Sequence, residues 1–370
     1  MKNSIHIVLL LLICLISSCQ KKNQSYRIEG QITGFPDSTM VYLKNMETDS
    51  DFDSTMVVNN KLVLKGELSD VPLQVWFYSR IEKQLVYTNL FMGNDHMSLT
   101  GDIKDFPWKV NVSGSNFHND FMALQSLTRE FDIERDTMVR NFFKLPDSLR
   151  ENKWSDLIPR MKRIDSTTKA IKIDFIKKNP NLYSSIINLG YLKNGMPKDS
   201  VRKLYNGLTP QIKKSKYAKI VSIFLEDKIL DKNDTYYDFT ALNQKNDSIR
   251  LSELRKGKYT LLDFTAYNCG PCIMAAKELR KIDKNHKDSL DIVSFSNDIK
   301  KEDWLKSLER DSVTWPSLWD GKGRYSKTAI KYGVNGFPTF FLIDPSGKII
   351  DKWSGFGEGS LLAKLEKFKS

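Results

Sequence analysis

Two cysteines stand three positions apart in the carboxy-terminal third of this 370-residue chain, as Cys269-Gly270-Pro271-Cys272. Such a pair can be a redox couple, half of a zinc site or an incidental neighbourhood. Zinc would need two further ligands, and His96, His118 and His286 show no metal-like spacing. A purely structural disulfide here would close a loop of a few residues and constrain the unfolded chain little. Redox chemistry is the strong reading, with the Cys269-Cys272 pair itself as the redox group and no added cofactor. The flanking sequence supplies what such a pair needs. Tyr259-Thr260-Leu261-Leu262-Asp263-Phe264 reads as a buried strand, and Ile273 to His286 as a helix. A helix that begins between the cysteines presents unpaired N–H groups and partial positive charge, which stabilise a thiolate on Cys269. Pro271 suits the first turn, where its missing N–H has no partner to lose.

The other two cysteines, Cys14 and Cys19, fall in the first nineteen residues. Lys2 is followed by an unbroken apolar run from Ile7 to Ile16. As helix this run rises about 15 Å, half of a bilayer core, so it reads as the apolar region of an export signal and not as a membrane span. Ile16-Ser17-Ser18-Cys19 resembles the bacterial lipobox, which implies a signal peptide over 1–18 and lipidation of Cys19. Residues 19–25 then form the anchor and tether, and the expected location is the cell envelope, lipid-anchored and facing the periplasm.

Apolar residues make up 40 % of the chain and charged residues 28 %, with 20 Phe, 14 Tyr and 7 Trp, a composition that argues for packed domains and against disorder. The net charge of +12 divides into −2 over residues 20–115, +8 over 116–235 and +5 over 236–370, with Lys2 supplying the last unit. The excess is interspersed with Asp and Glu, without an Arg-rich block, which gives no support to nucleic acid as a partner. Residues 26–115 alternate in short runs, such as Tyr26 to Gly30, Met40 to Leu43, Lys61 to Gly66, Leu73 to Phe77 and Met97 to Thr100, and predict a small antiparallel β-sandwich. Over residues 116–235 the spacing becomes helical, as in Phe121, Leu124, Leu127 and Phe131, with Pro180, Pro197 and Pro210 near helix starts. This helical segment reads as a structural spacer, with a docking clamp as the alternative.

Residues 236–370 resemble the thioredoxin superfamily, most closely the exported thiol-disulfide lipoproteins of the ResA/TlpA type. The resemblance rests on Leu262-Asp263-Phe264, on Cys269-Gly270-Pro271-Cys272, and on Val334-Asn335-Gly336-Phe337-Pro338-Thr339 followed by Phe340 to Asp344. The segments Asp53-Ser54-Thr55 before Val57-Val58 and Asn179 to Ser185 resemble the amino-terminal domain, of the DUF4369 kind, and the helical insert of Bacteroidetes thioredoxin-like lipoproteins. The likeness implies an α/β domain, a central mixed sheet with helices on both faces, with Asp291 to Tyr332 as an extra strand and helix. It implies Cys269 as nucleophile, Cys272 as resolving thiol and Asp263 as proton acceptor, its pKa raised by burial. Gly270, Pro271, Phe337 and Pro338 would face a disulfide-bearing protein substrate, the Phe337-Pro338 bond being cis. Gly270-Pro271 matches the reducing members, near −270 mV, so an exported reductase would need a transmembrane electron donor. Thr265 and Asn268 stand where the family usually has Trp, and Ile273 and Ala275 where it often has a basic residue and Glu, which leaves partner choice open. A peroxiredoxin-like peroxidase would need Thr or Ser at position 266 and Pro at 262, where Ala266 and Leu262 stand. A partner-binding lipoprotein with this domain as mere scaffold is the other alternative.

Overall fold

A computed structural model describes residues 25–366 except positions 71 and 83, so Cys19 and the export signal lie outside the described residues. The chain forms two compact units that divide between Asn119 and Asp120.

Among the described residues of the first unit, eight strands form two four-stranded sheets. They are β1 (Tyr26–Thr33), β2 (Met40–Asn45), β3 (Ser50–Met56), β4 (Lys61–Gly66), β5 (Leu73–Ile81), β6 (Gln84–Met92), β7 (His96–Asp102) and β8 (Asn111–Ser113). The sheet orders are β4-β1-β7-β8 and β3-β2-β5-β6. Alternate residues of β1 are buried, as the period of two requires. Ile28, Leu62 and Leu99 of one sheet share a core with Val41, Leu43 and Phe77 of the other, which makes the sandwich. One pairing departs from the antiparallel expectation: β1 runs parallel to β7, with Ile28 opposite Met97 and Gly30 opposite Leu99. Alternation reports which face of a strand is buried, and it is the same for either direction of the neighbour. Asp53-Ser54-Thr55 lies in β3, an edge strand, which accounts for its polar pattern.

Helices α1 (Asn116–Phe143) and α2 (Asp147–Lys178) are long, and Pro159 lies inside the second. Shorter helices follow: α3 (Tyr183–Leu192), α4 (Lys198–Gly207), α5 (Pro210–Lys213) and α6 (Ala218–Glu226). Pro197 caps α4 and Pro210 opens α5, as their fixed φ and missing N–H favour.

The rest of the second unit is built on a seven-stranded sheet. Its elements are β9 (Thr240–Leu242), β10 (Ser248–Arg250), α7 (Leu251–Leu254), β11 (Tyr259–Thr265), α8 (Gly270–His286), β12 (Leu290–Ser296), α9 (Lys301–Arg310), β13 (Ser317–Trp319), α10 (Lys327–Lys331), β14 (Thr339–Ile343), β15 (Ile349–Ser354) and α11 (Ser360–Glu366). The order is β10-β9-β13-β12-β11-β14-β15. Strands β11, β12 and β13 are parallel and the other pairings antiparallel, so the sheet is mixed. Successive residues of β11 face opposite ways. Leu261, with Ile292 and Phe340, packs on Ala275, Leu279 and Ile282 of α8 and Leu361 of α11. Leu262 and Phe264, with Val293, Phe295 and Phe341, pack on Phe239, Ala329 and Tyr332 on the other side. Burial on both faces explains why β11 reads as a continuous apolar run.

The helical segment joins this domain through α10. Asp227, at the end of α6, pairs with Lys331 at 3.1 Å and Lys327 at 3.3 Å. Because β11, β12 and β13 run in one direction, the loops that follow them all leave one edge of the sheet. Antiparallel β14 begins there, Thr339 lying opposite Phe264. The loops at 266–269, 297–300, 320–326 and 334–338 are thus gathered at the carboxyl edge, where open α/β sheets hold their ligands.

Candidate functional site

Cys269 follows β11 and caps α8, while Cys272 lies in the first turn of that helix. Their sulfurs are joined as a disulfide across a Cα separation of 5.2 Å. The backbone N–H of Cys272 donates to Cys269 Sγ at 3.2 Å and to Cys269 O at 3.0 Å. The Ile273 N–H donates to the same carbonyl at 3.2 Å. Helix donors converge on Cys269, and on reduction the donor at its sulfur and the helix dipole favour the anion there. Cys269 is 9 % exposed and Cys272 4 %, so the first cysteine is the more accessible of the two. A Cβ built on Gly270 would meet nothing within 4 Å, which leaves the approach between the cysteines open.

Asp263 sits in β11 between Leu262 and Phe264, both fully buried, and is itself 4 % exposed. The register places it opposite Ser294 of β12 and Phe340 of β14. Ser294 Oγ donates to Asp263 Oδ2 at 2.9 Å and accepts from Trp315 Nε1 at 2.8 Å. Asp263 Oδ1 is buried with no partner. Burial pushes the carboxyl from 3.8 up to about 7, and the Asp311 charge adds to the rise while the Ser294 hydrogen bond opposes it. Asp311 stays fixed because Arg310 grips it twice, Nε to Oδ1 at 2.8 Å and Nη2 to Oδ2 at 2.7 Å. A carboxyl poised near neutrality can exchange protons with a thiol. The sequence reading missed Ser294 and Asp311. The first left a trace, a small polar residue inside an apolar strand run, as Asp263 did.

The Phe337-Pro338 peptide is cis. Pro338 is buried, Phe337 is half-buried, and Asn335 and Gly336 are exposed. Pro338 O accepts from Gly355 N at 2.8 Å, whereas the N–H and C=O of Phe337 bond to nothing among the described residues. The register of β14 on β11 brings this loop to the sheet edge from which Cys269 emerges.

The loop before Cys269 is tied down by polar contacts. Tyr267 N donates to Asp298 Oδ1 at 2.9 Å and Oδ2 at 3.1 Å, and Ser296 Oγ donates to Asp298 Oδ2 at 2.7 Å. The Arg310 guanidinium lies 4.9 Å from the Tyr267 ring centroid and donates to Tyr267 O at 2.8 Å. Thr265 and Asn268 flank this clasp. Among the described residues no group of three or more His, Cys, Asp or Glu could hold a metal ion.

Residues 257–349 match a family model described as thioredoxin-like. Residues 26–121 match that of a domain of unknown function, DUF4369. The chain is similar to the thioredoxin-like protein YneN of Bacillus subtilis, 32 % identical over 99 residues that cover 26 % of this chain and 56 % of the relative. It therefore spans little more than half the length of that curated relative. It is also similar to the thiol-disulfide oxidoreductase ResA of Geobacillus thermodenitrificans, 28 % identical over 134 residues, 36 % of this chain and 75 % of the relative. Among solved structures, the thioredoxin domain of a thiol-disulfide oxidoreductase from Bacteroides vulgatus is 31 % identical, covers 38 % of this chain and 98 % of its own, and has a TM-score of 0.35.

Proposed function

Through residues 257–349 the chain belongs to the thioredoxin-like family, and from that premise we propose that it is an exported, lipid-anchored thiol-disulfide oxidoreductase that reduces protein disulfides with Cys269 and Cys272. The observation that carries this reading is the redox pair itself, a disulfide at a helix amino terminus with a buried carboxyl near pKa 7 on the strand before it.

The cycle begins with the reduced pair. The Cys269 thiolate attacks one sulfur of the substrate disulfide; that S–S bond breaks, a Cys269–substrate bond forms, and the departing sulfur leaves as a thiolate that takes up a proton. The Cys272 thiol then gives its proton to the Asp263 carboxylate. Its sulfur attacks Cys269 Sγ and releases the second substrate sulfur as a thiolate, which recovers the proton held on Asp263 and so restores the carboxylate. The substrate has gained two electrons and two protons, and Cys269–Cys272 is left oxidised. Another turn requires a dithiol donor, which in an oxidising envelope must draw electrons across the membrane. Gly270 and Pro271 present the surface on which the substrate lies, the buried cis-Pro338 fixes the backbone of the facing loop, and the unbonded backbone of Phe337 can pair with an extended segment of the substrate.

Insulin disulfide reduction with dithiothreitol as the electron source tests the proposal. Wild-type protein should accelerate the reaction and Cys269→Ser should not. Equal rates for the two would leave the domain a scaffold.

A further inference from the structure

The carboxyl edge holds a second feature that the reductase cycle leaves unused. A cavity of about 430 Å3 opens between the end of α3 and the loops of the sheet, with Phe337 in its wall. Its volume lies within the range of pockets that hold ligands, about 300–1,000 Å3. Lys193 and Arg324 both line it. Neither has an acidic partner among the described residues: Lys193 Nζ donates to the Gly190 carbonyl at 3.1 Å, and Arg324 Nη1 reaches the Tyr191 hydroxyl at 3.4 Å. Lys193 is only 8 % exposed. A buried ammonium without a counter-charge is costly. Burial first, and repulsion from Arg324 second, lower its pKa to about 8. Two like charges facing one cavity would both be relieved by an anion placed in it.

A backbone edge narrows the class of ligand. Phe337, whose backbone N–H and C=O are unbonded among the described residues, lines the same wall. Lys193 and Arg324 also lie over the rings of Phe224 and Tyr191, at 5.9 and 5.2 Å from the centroids, which leaves their charges without an anion. The cavity thus combines two cations that have no acidic partner among the described residues with one backbone edge suited to a polypeptide.

We propose that this cavity is a specificity subsite for an acidic residue of the substrate polypeptide, Lys193 and Arg324 receiving the carboxylate while the backbone of Phe337 holds the adjoining chain. The inference rests on the reductase function proposed above and deepens it: the preferred disulfides lie in acidic sequence. The loop after β12 supplies Asn297 of the cavity wall and the loop after β13 supplies Arg324, the same edge that carries Cys269, so substrate reaches thiols and cavity together.

The test compares two synthetic peptide disulfides that differ only in having Glu or Gln beside the cysteine. For the reduced full chain we expect kcat/KM to favour the Glu peptide by about tenfold at low salt, the scale of one charge-assisted hydrogen bond. Arg324→Gln and Lys193→Gln should each bring that ratio toward one. Equal kcat/KM for both peptides with wild-type protein, or a preference that survives in both variants, would overturn the subsite. A second readout needs no redox step: fluorescence anisotropy of the same peptides with serine in place of cysteine. Preferential binding of the Glu peptide there, without turnover of either disulfide, would refute the reductase reading and leave the subsite standing.

Discussion

Replacing Asp263 by Asn should make the oxidised protein more stable at neutral pH, although the residue is buried and hydrogen-bonded. The reason is linkage. In the fold the carboxyl titrates near 7, against 3.8 when free of its surroundings. Below pH 3.8 both folded and unfolded chains hold the proton, and the site makes no pH-dependent contribution. Between there and about pH 7 the unfolded chain ionises while the folded one does not, so stability falls as pH rises. The difference of about three units corresponds to ~4 kcal/mol lost by the time the folded carboxyl has ionised. Asn cannot ionise and is spared that loss. Near pH 3 it should match wild type closely, because a protonated carboxyl and an amide each bring a donor to the place where Oδ1 has no partner, and Ser294 can still donate to the remaining oxygen. The stability difference, Asp263→Asn minus wild type, should therefore rise from near zero at pH 3–4 to a plateau above pH 7, with ~4 kcal/mol as its upper value. Guanidinium unfolding of both oxidised proteins across this range measures it, with the near-ultraviolet signal of Trp304 and Trp315, 0 % and 4 % exposed, reporting the domain. A difference that stays flat with pH would refute the burial argument and with it the assignment of Asp263 as a proton acceptor tuned to neutrality.

The two sulfurs should behave unequally: Cys269→Ser abolishes disulfide reduction, while Cys272→Ser accumulates mixed disulfides visible on non-reducing gels, and equal trapping by both would contradict the roles given. Turnover by wild type should rise through about pH 7 as the Asp263 carboxylate becomes available, and Asp263→Asn should be slower with that inflection gone. Cys19→Ser should release the protein from membranes or stall its processing; a variant that stays in the membrane fraction at normal mature size would dispose of the anchor. Titration of Cys269–Cys272 against dithiothreitol or glutathione should give a potential near −270 mV, whereas one near about −120 mV would reverse the direction of electron flow.

How much of this was written in the sequence depends on whether the information was local. Cys269, Cys272 and Asp263 announced themselves because each sits in a pattern of neighbours: a helix start, a two-residue spacer, an acid inside an apolar strand. Phe337 and Pro338 needed the resemblance, since an X-Pro in a loop carries no mark of its role. The sandwich strands were legible from alternation, but β1 pairs with β7 across 70 residues of chain, from Arg27 to His96, and alternation does not encode the direction of a distant partner. Strands β9 and β10 are three residues each, too short for any period to show. The cavity was invisible for the same reason. Lys193, Asn297 and Arg324 are unremarkable residues in three separate stretches, and only the parallel run of β12 and β13, with the end of α3 laid against it, makes them neighbours.

The clasp around Tyr267 bears on the entropy of encounter. A free loop of Thr265 to Asn268 would sample many backbone states, and fixing them costs ~1–2 kcal/mol for each residue. With Asp298 holding the Tyr267 amide and Arg310 holding its carbonyl and ring, that ordering is completed once, when the domain folds. A substrate meeting Cys269 then finds the platform already set, and none of its binding energy is diverted into arranging it.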